Sequence, residues 1–196
     1  MSMFSFVGKK YSYFAHSYNR ATENLRTIEI PIIKEILRLG PLHVLEIGNV
    51  LSHYGLIRWP VLDKYERGTM VINEDLMTYE TRMPFDLIVS ISTIEHIGFG
   101  KYTHTTLPKP SMTDIFLKIK SLLTPAGTAY ITVPVGFNPN LDRYLVSNPS
   151  EIQIVGCMRR INNINDWKEC TLIQAIEEDK YRGDYPWSKG MVVLKC

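Results

Sequence analysis

Acidic residues stand at or just beyond the ends of three short apolar runs, each of the length of a β-strand. Glu46 falls within VLEI, Asp63 ends WPVLD, and Asp75 follows TMVIN by two positions. The carboxyl ends of the strands in an open α/β sheet border the ligand crevice, so we expect these carboxylates to lie along one rim. A carboxylate there can accept hydrogen bonds from both hydroxyls of a ribose. The pattern therefore predicts a site for a nucleotide-like cofactor.

The loop after VLEI differs from the glycine-rich loops of most such sites. It reads GNVLSHYG, and the chain has to turn sharply at Gly48 with a ligand close to its backbone. Val50 and Ser52 stand where further glycines would allow the closest approach. Asn49, Ser52 and His53 offer polar side chains in place of bare backbone, so we expect a rebuilt loop that still binds. The alternative is a loop that has lost its cofactor.

A second group of reactive side chains follows the fourth apolar run, FDLIVSIS. Ser92 ends this run, and Glu95 and His96 come soon after it in STIEHI. We expect Ser92 to line the floor of the crevice. Histidine has the pKa range for a base near neutrality, so His96 is a candidate general base, with Glu95 as a second candidate catalytic residue beside it. The alternative is that His96 only packs against the next loop.

The elements that must position these residues alternate along the chain in a βαβ pattern. Continuous runs of Val, Ile and Leu are typical of parallel strands covered on both faces. A helix is predicted between the fourth and fifth strands, with Ser111 or Thr113 as its cap and Pro125 and Gly127 at its end. Strands are predicted at 44–47, 59–63, 69–73, 85–92 and 127–135.

Helical spacing also marks the segment TENLRTIEIPIIKEILRLGP. Pro31 predicts a kink there, or a helix that begins afresh at Pro31, and Gly40 and Pro41 end it. In the last quarter, EIQIVGCMRRI is interpreted as a strand, TLIQAIEEDKY as a short helix and GMVVLKC as a final strand. Together the elements predict a three-layer α/β/α sandwich whose mostly parallel sheet has six or seven strands, with an antiparallel C-terminal strand.

Composition restricts the class of protein. A chain of 196 residues can bury one good core, and a net charge of +2 without basic runs disfavours a nucleic-acid partner. Three widely spaced cysteines form no metal knuckle and fit a reducing compartment. Because no apolar run has the length of a signal peptide or a membrane span, we expect a cytoplasmic protein without a membrane partner.

In their order and spacing, the motifs over residues 40–196 resemble those of class I S-adenosylmethionine-dependent methyltransferases. The matching segments are VLEIG, VLDKYE, NEDL, FDLIVSISTIEHI and LLTPAGTAYITVPV. The resemblance implies a Rossmann-like sheet and S-adenosylmethionine as the cofactor. It further implies a methyltransferase-like α/β domain at 41–196, preceded by an N-terminal helical segment at 1–40 that folds over the cofactor as a lid. The alternative is that Tyr and His side chains of this segment form an amphipathic surface that docks it on the domain.

The resemblance also assigns parts of the cofactor to residues of this chain. Glu46 would bind the amino acid half, directly or through water, Asp63 the ribose hydroxyls and Asp75 the adenine amino group. His96 and Glu95 would be catalytic. Each acid also has a plain structural interpretation, as a cap or a solvated group at a strand end. The predicted cofactor site is completed by Gly48, Asn49, Lys64 and Ser92.

A metal ion is not part of this prediction. Some methyltransferases of this kind hold a divalent ion with a Glu-x-x-Glu-His run and a further histidine. In this chain Ser92 stands first in that run, Glu95 and His96 follow, and His104 lies beyond. Serine is a poor substitute for a carboxylate on a hard cation, so no metal ligands are predicted.

The expected reaction is methyl transfer to an oxygen or nitrogen atom of a polar small molecule, with a carbohydrate-type acceptor among the options. The acceptor pocket would be formed by the N-terminal segment and by loops 98–110 and 136–150, which are rich in hydroxyl, Asn and Tyr side chains. Lys101, Tyr102 and His104 are candidates to meet the acceptor. A homodimer stays open.

Two other functions fit parts of the pattern. The altered glycine loop favours a catalytically inactive, methyltransferase-like binding or scaffold protein. A strand that ends before a glycine, with a later acid, also fits an NAD-type enzyme, but the G-x-G-x-x-G that cradles two phosphates is absent. Near the end, Tyr185 and Trp187 flank a proline, where they would close a hairpin or stack on a substrate.

Overall fold

A computed structural model describes residues 2–38, 40, 43–56, 58–99, 109–177 and 188–196 of the chain. Four helices lie in these ranges: α1 (Arg26–Leu37), α2 (Met112–Ser121), α3 (Pro139–Val146) and α4 (Leu172–Glu177). Ten strands lie there as well: β1 (Met3–Phe6), β2 (Lys9–Ser12), β3 (Val44–Ile47), β4 (Val61–Leu62), β5 (Val71–Ile72), β6 (Phe85–Ile91), β7 (Leu123–Val135), β8 (Gln153–Arg160), β9 (Trp167–Cys170) and β10 (Gly190–Lys195).

The central sheet has the order β5-β4-β3-β6-β7-β10-β8-β9. Strands β3 to β7 run parallel to one another. Strand β10 is antiparallel to both β7 and β8, and β9 is antiparallel to β8. The predicted mostly parallel sheet with an antiparallel C-terminal strand is confirmed. Its described part has eight strands rather than six or seven, because β9 pairs with β8 at the edge. Five-residue strands were predicted at 59–63 and 69–73, but the strands found there, β4 and β5, have only two residues each.

Helices cover both faces of this sheet. On one face Ile30 and Ile33 of α1 pack with Leu87, Val89 and Ile91 of β6. On the other face, apolar side chains of α2, α3 and α4 pack with alternate residues of β3, β6, β7 and β10. Leu45 and Ile47 face the side of the sheet that α2, α3 and α4 cover. Because successive side chains of a strand point to opposite faces, Glu46 between them points toward α1. This alternation explains how a charged residue can be placed within an apolar strand.

Helix α1 begins at Arg26, so the predicted fresh start at Pro31 was wrong. Proline has no N–H to donate to the carbonyl of Thr27, one turn earlier. That carbonyl accepts the N–H of Phe14 instead, at 2.8 Å, and Thr27 Oγ1 donates to the Phe14 carbonyl at 3.0 Å. The proline therefore leaves a docking point on the helix for the segment that precedes it.

Helix α2 begins where the sequence indicated. The Ser111 hydroxyl accepts the N–H of Asp114, whose carboxylate accepts the N–H of Ser111 in return, so Ser111 rather than Thr113 is the cap. The helix ends before Pro125 and Gly127, which lie inside β7 instead. Opposite them, the pairing of β6 with β7 shifts its register between Phe85 and Leu87.

The N-terminal segment begins with a hairpin, although a helical segment was expected at 1–40. Strand β1 pairs with β2, and the side chains of Phe4 and Phe6 are buried among residues of α1, β8, β9 and β10. Helix α1 supplies the helical part of the segment. In the described ranges no helix is both long and apolar enough to cross a membrane. Pro41, expected to end the helix, lies outside the described residues.

Candidate active site

A cleft of about 380 Å³ opens beyond the carboxyl ends of β3, β4 and β6. Its volume falls within the usual range for small-molecule sites, and its position is the one that open α/β sheets use for ligands. Seven of the nine predicted site residues line it: Gly48, Asn49, Asp63, Lys64, Asp75, Ser92 and His96. The other two, Glu46 and Glu95, are not among its lining residues.

Glu46 lies behind the loop that it was expected to serve. Its side chain is fully buried, and Oε1 accepts the N–H groups of Val50 at 2.9 Å and Leu51 at 2.8 Å. Burial raises the pKa of this carboxyl to about 7, although these N–H groups, the Trp59 side chain and the charge of Arg26 oppose the shift. Direct contact of Glu46 with a ligand stays a prediction. The buried position of its carboxyl behind the loop does not favour such a contact.

Gly48 turns the chain as predicted. A ligand was expected close to it, but the side chain of Thr93 lies against it. The residue has φ +86°, and an added Cβ would lie 2.1 Å from Thr93 Oγ1. Its N–H donates to the carbonyl of Leu62 at 2.9 Å, which ties the loop to the end of β4. Glycine is required here for the close approach of Thr93 as well as for the backbone conformation.

Asp63 organises the turn after β4. Its Oδ1 accepts the N–H groups of Tyr65 and Glu66, each at 2.8 Å, and its Oδ2 accepts the N–H of Asn49 at 3.1 Å. A carboxylate can accept about four hydrogen bonds, so capacity for a ligand hydroxyl is left. Asn49 Nδ2 donates to Glu66 Oε2 at 2.8 Å, and its buried Oδ1 has no hydrogen-bond partner among the described residues.

Lys64 and Asp75 form a pair on the rim of the cleft. Lys64 Nζ donates to Asp75 Oδ2 at 2.8 Å, and the N–H of Met77 donates to Oδ1 at 2.9 Å. Partial burial alone would raise the pKa of Asp75, but the hydrogen bond and charge of Lys64, together with the Met77 N–H, lower it overall. The hydrogen bond to Asp75 raises the pKa of Lys64. Both side chains are about one-third exposed and so can also meet a ligand.

A buried ion pair in α1 forms part of the floor and was not predicted from the sequence. Arg26 lines the cleft, and its guanidinium donates to Oε2 of Glu29, which is fully buried. Glu29 Oε1 accepts the hydroxyls of Ser92 at 2.6 Å and Thr132 at 2.7 Å. The ion pair thus links α1 to the ends of β6 and β7. Ser92 is held in this network with φ +41°.

Glu95 and His96 lie together in the helical turn that follows β6. Glu95 is 1% exposed, and its Oε1 is 3.6 Å from His96 Nε2. Burial is the main cause that raises the pKa of Glu95 to about 8, and the charge of Glu29 adds to the increase. A hydrogen bond from its own backbone N–H and the charge of Arg26 oppose the increase. His96 lines the cleft and makes an edge contact with Phe137. The buried acid therefore stands behind a histidine that faces the cleft.

Aromatic rings of the N-terminal segment pack over the mouth of the cleft. Tyr18 lines the cleft and stacks on His53 with ring centroids 4.5 Å apart. Phe14, His16 and Tyr18 each contact Tyr54 edge-on. The segment that precedes α1 thus contacts the loop that follows β3, at His53 and Tyr54.

Several predicted acceptor contacts lie outside the described residues: Lys101, Tyr102, His104, Tyr185 and Trp187. Within the described part of the chain, no group of three or more His, Cys, Asp or Glu side chains is placed to hold a metal ion. Ser92, the first position of the run considered for a metal, bonds to Glu29 instead.

Solved structures share this architecture. The N-methyltransferase NodS from Bradyrhizobium japonicum WM9, in complex with S-adenosyl-L-homocysteine, aligns with 92% of this chain and 91% of its own, at a TM-score of 0.50 and 14% identity. The chain has the class I methyltransferase fold. A coclaurine N-methyltransferase bound to N-methylheliamine and S-adenosylhomocysteine gives a TM-score of 0.48 at 11% identity over 95% of this chain and 76% of its own. No family profile and no curated protein matches the sequence.

Proposed function

We propose that the protein is an S-adenosylmethionine-dependent methyltransferase that acts on an oxygen or nitrogen atom of a polar small molecule. The observation that carries this proposal is the position of the cleft, which lies at the carboxyl ends of β3, β4 and β6 within a class I methyltransferase fold. A small acceptor, rather than nucleic acid, suits a cleft of about 380 Å³ on a chain with a net charge of +2.

The residues present fit the cofactor, with a changed distribution of roles. Asp63 keeps hydrogen-bonding capacity for a ribose hydroxyl, and the Lys64–Asp75 pair offers a donor and an acceptor for an adenine edge. The orphaned Asn49 Oδ1 is an acceptor in the cofactor loop, where glycines are missing. Glu46 acts from behind by holding the loop through two backbone N–H groups.

When bound, S-adenosylmethionine supplies a methyl group that its sulfonium charge activates for in-line displacement. The protein contributes orientation and proton handling. His96 lines the cleft, and a ring nitrogen of it can accept a proton from the hydroxyl or ammonium group of the substrate that receives the methyl group. Glu95 lies 3.6 Å from His96 Nε2, and in its ionised form it can stabilise the imidazolium that forms. Tyr18 and His53 can cover the cleft mouth and exclude water.

A second candidate is a binding or scaffold protein without turnover. Asp63 and Glu46 favour it, because backbone N–H groups already occupy much of the hydrogen-bonding capacity of both carboxylates. In an enzyme these acids would be expected to meet the cofactor more openly. The two functions differ in whether the bound methyl group is transferred.

Calorimetric titration with S-adenosylmethionine, S-adenosylhomocysteine and NAD separates the alternatives. We expect the first two to bind and NAD not to bind. Asp63→Asn keeps one oxygen to accept the N–H groups of Tyr65 and Glu66 and should weaken binding about tenfold, the effect of losing about one hydrogen bond to a charged group. Glu177→Gln, an exposed change in α4, should leave binding unchanged. Absence of heat with either sulfur compound would overturn the cofactor assignment. Binding without methyl transfer to any of a panel of small amines and alcohols would favour the scaffold protein.

A further inference from the structure

Two of the three cysteines lie directly opposite each other in the sheet. Cys157 of β8 pairs with Cys170 of β9, in an antiparallel register that runs from Arg160 opposite Trp167 to this pair of cysteines. The chain connects the two strands at the Trp167 end, so the cysteines stand at the open end of the hairpin. Their separation along the chain hid this arrangement, which only the pairing of the strands creates.

Both cysteine side chains point to the face of the sheet that α2, α3 and α4 cover. Residues directly opposite each other in an antiparallel pair share a face, and their Cα atoms lie about 4.5–5.5 Å apart. Cys157 is 5% exposed within the apolar core of that face, and Cys170 is half-buried against the same core. Disulfides join cysteines whose Cα atoms are about 4.4–6.8 Å apart, so the register brings this pair within bonding range.

The third cysteine lies too far along the sheet to compete for this pair. Cys196 follows β10, where Val192 is the residue opposite Cys157. The N–H of Cys196 donates to the Ala129 carbonyl at 3.1 Å, so Cys196 continues the extended chain of β10. The four residues from Val192 to Cys196 span about 13 Å, roughly twice the distance that a disulfide bridges. The fold therefore selects Cys157 and Cys170 among the three possible pairs.

The two thiols of the pair differ in their access to a reagent. Burial raises the pKa of Cys157 to about 12, and the charge of Cys170 adds to the increase, as expected for neighbouring sulfur atoms. Because a thiolate rather than a thiol attacks a disulfide, Cys157 is rarely in its reactive form at neutral pH. Cys170 ends the edge strand of the described sheet and is partly exposed, so a reagent from solvent meets it first.

We propose that Cys157 and Cys170 form a reversible disulfide when the protein meets a low-molecular-weight disulfide, and that this bond closes the open end of the β8–β9 hairpin. The Cys170 thiolate attacks one sulfur of the small disulfide, which forms a mixed disulfide and releases one small thiol. The Cys157 thiolate then attacks the Cys170 sulfur, and the second small thiol leaves. Two protein thiols are oxidised, one small disulfide is reduced, and the two thiol protons end on the two small thiols.

The disulfide would strengthen the edge of the sheet. Among the described strands β9 pairs only with β8, and it leads directly into α4, which begins at Leu172. A disulfide stabilises a protein mainly by restricting its unfolded chain. We expect the oxidised protein to melt about 6–12 °C above the reduced protein, the shift that a cross-linked loop of this length gives in a chain of this size. Neither cysteine lines the cleft, so the site is separate from the proposed function.

Oxidation of the folded protein with oxidised glutathione, followed by acid quenching and alkylation in urea, tests the pairing. We expect the mass of the protein to fall by that of two hydrogen atoms, and one cysteine instead of three to be alkylated. Peptide mapping should join Cys157 to Cys170. Cys196→Ala, the matched control, should leave this cross-link intact, whereas Cys170→Ala should abolish it. Dithiothreitol should restore the lower Tm and all three alkylation sites.

Several results would overturn the proposal. These are three alkylated cysteines after oxidation, glutathione that stays attached to Cys170 without a cross-link, and a cross-link to Cys196. Oxidation in urea is the reference, because an unfolded chain should give all three pairings, and the same mixture from the folded protein would show that the register selects none. A cross-link that leaves Tm unchanged would contradict the stabilised edge. Should Cys170→Ala fail to fold, the peptide map of the wild-type protein decides alone.

Discussion

Replacing Gly48 by alanine tests whether the cofactor loop depends on the approach of Thr93. An alanine with a left-handed backbone at φ +86° costs about 1 kcal/mol. The added Cβ would also lie 2.1 Å from Thr93 Oγ1 and 2.6 Å from its Cγ2, so Thr93 has to move. Such overpacking costs about 1–3 kcal/mol, and about 1 kcal/mol more is lost with the hydrogen bond from Thr93 to the Ile91 carbonyl. We expect Gly48→Ala to lower the free energy of unfolding by about 3–5 kcal/mol.

Gly55 provides a matched control at the end of the same loop. It too has a positive φ, +68°, but nothing lies within 4 Å of an added Cβ. Gly55→Ala should therefore cost only the backbone term of about 1 kcal/mol. The difference between the two variants, about 2–4 kcal/mol, isolates the contact with Thr93.

Urea unfolding followed by tryptophan fluorescence measures these differences, and thermal unfolding should show them as well. For a chain of this size 1 kcal/mol lowers Tm by about 2–4 °C, so Gly48→Ala should melt at least about 6 °C below wild type. Adding Thr93→Ala to Gly48→Ala should recover part of the loss, since the Thr93 Cβ would still lie 2.8 Å away. Equal destabilisation by Gly48→Ala and Gly55→Ala would refute the reasoning.

Two further predictions concern the buried charges. Glu29→Leu removes a buried ion-pair partner of Arg26 and the acceptor of two hydroxyls, and should lower the free energy of unfolding by about 3–5 kcal/mol, whereas Glu29→Gln, which keeps an oxygen to accept the two hydroxyls, should cost less in urea unfolding. Glu46 and Glu95 have folded-state pKa values of about 7 and about 8, above the ordinary 4.5, so the folded state binds more protons and stability should fall as pH rises from about 5 to 8. Glu95→Gln should flatten this pH profile, and an unchanged slope would show that Glu95 titrates normally.

The sequence predicted the central strands well because they are buried on both faces. VLEI and FDLIVSIS are continuous apolar runs, and β3 and β6 coincide with them almost residue for residue. Edge strands have no such signal. In β9, WKEC has one buried, two exposed and one half-buried position and so shows no alternation, and its partner strand rather than its own composition defines it.

The N-terminal hairpin was hidden by its turn. Val7 and Gly8 both have positive φ, +48° and +73°, as a type I′ hairpin turn requires. Asn-Gly or Asp-Gly is the usual signal of such a turn, and a β-branched valine masks it. Helix α3, by contrast, carries a signal that was available: Asn138 caps it by accepting the N–H of Asn140, and Pro139 occupies its first position.

The candidate site divides along the same lines. Residues on the rim, such as Asp63 and Asp75, could be placed from the sequence, because strand ends in a parallel sheet converge on one crevice. The direction in which a carboxylate points could not be predicted. Glu46 turns inward because it accepts backbone N–H groups that become available only in the folded loop. Arg26 and Glu29 carried a signal as an opposite-charge pair at i and i+3 in an apolar helix, and that spacing on a buried face places an ion pair inside the protein. Because a buried ion pair contributes little net stability compared with apolar packing, stability alone does not explain its place beneath the cleft.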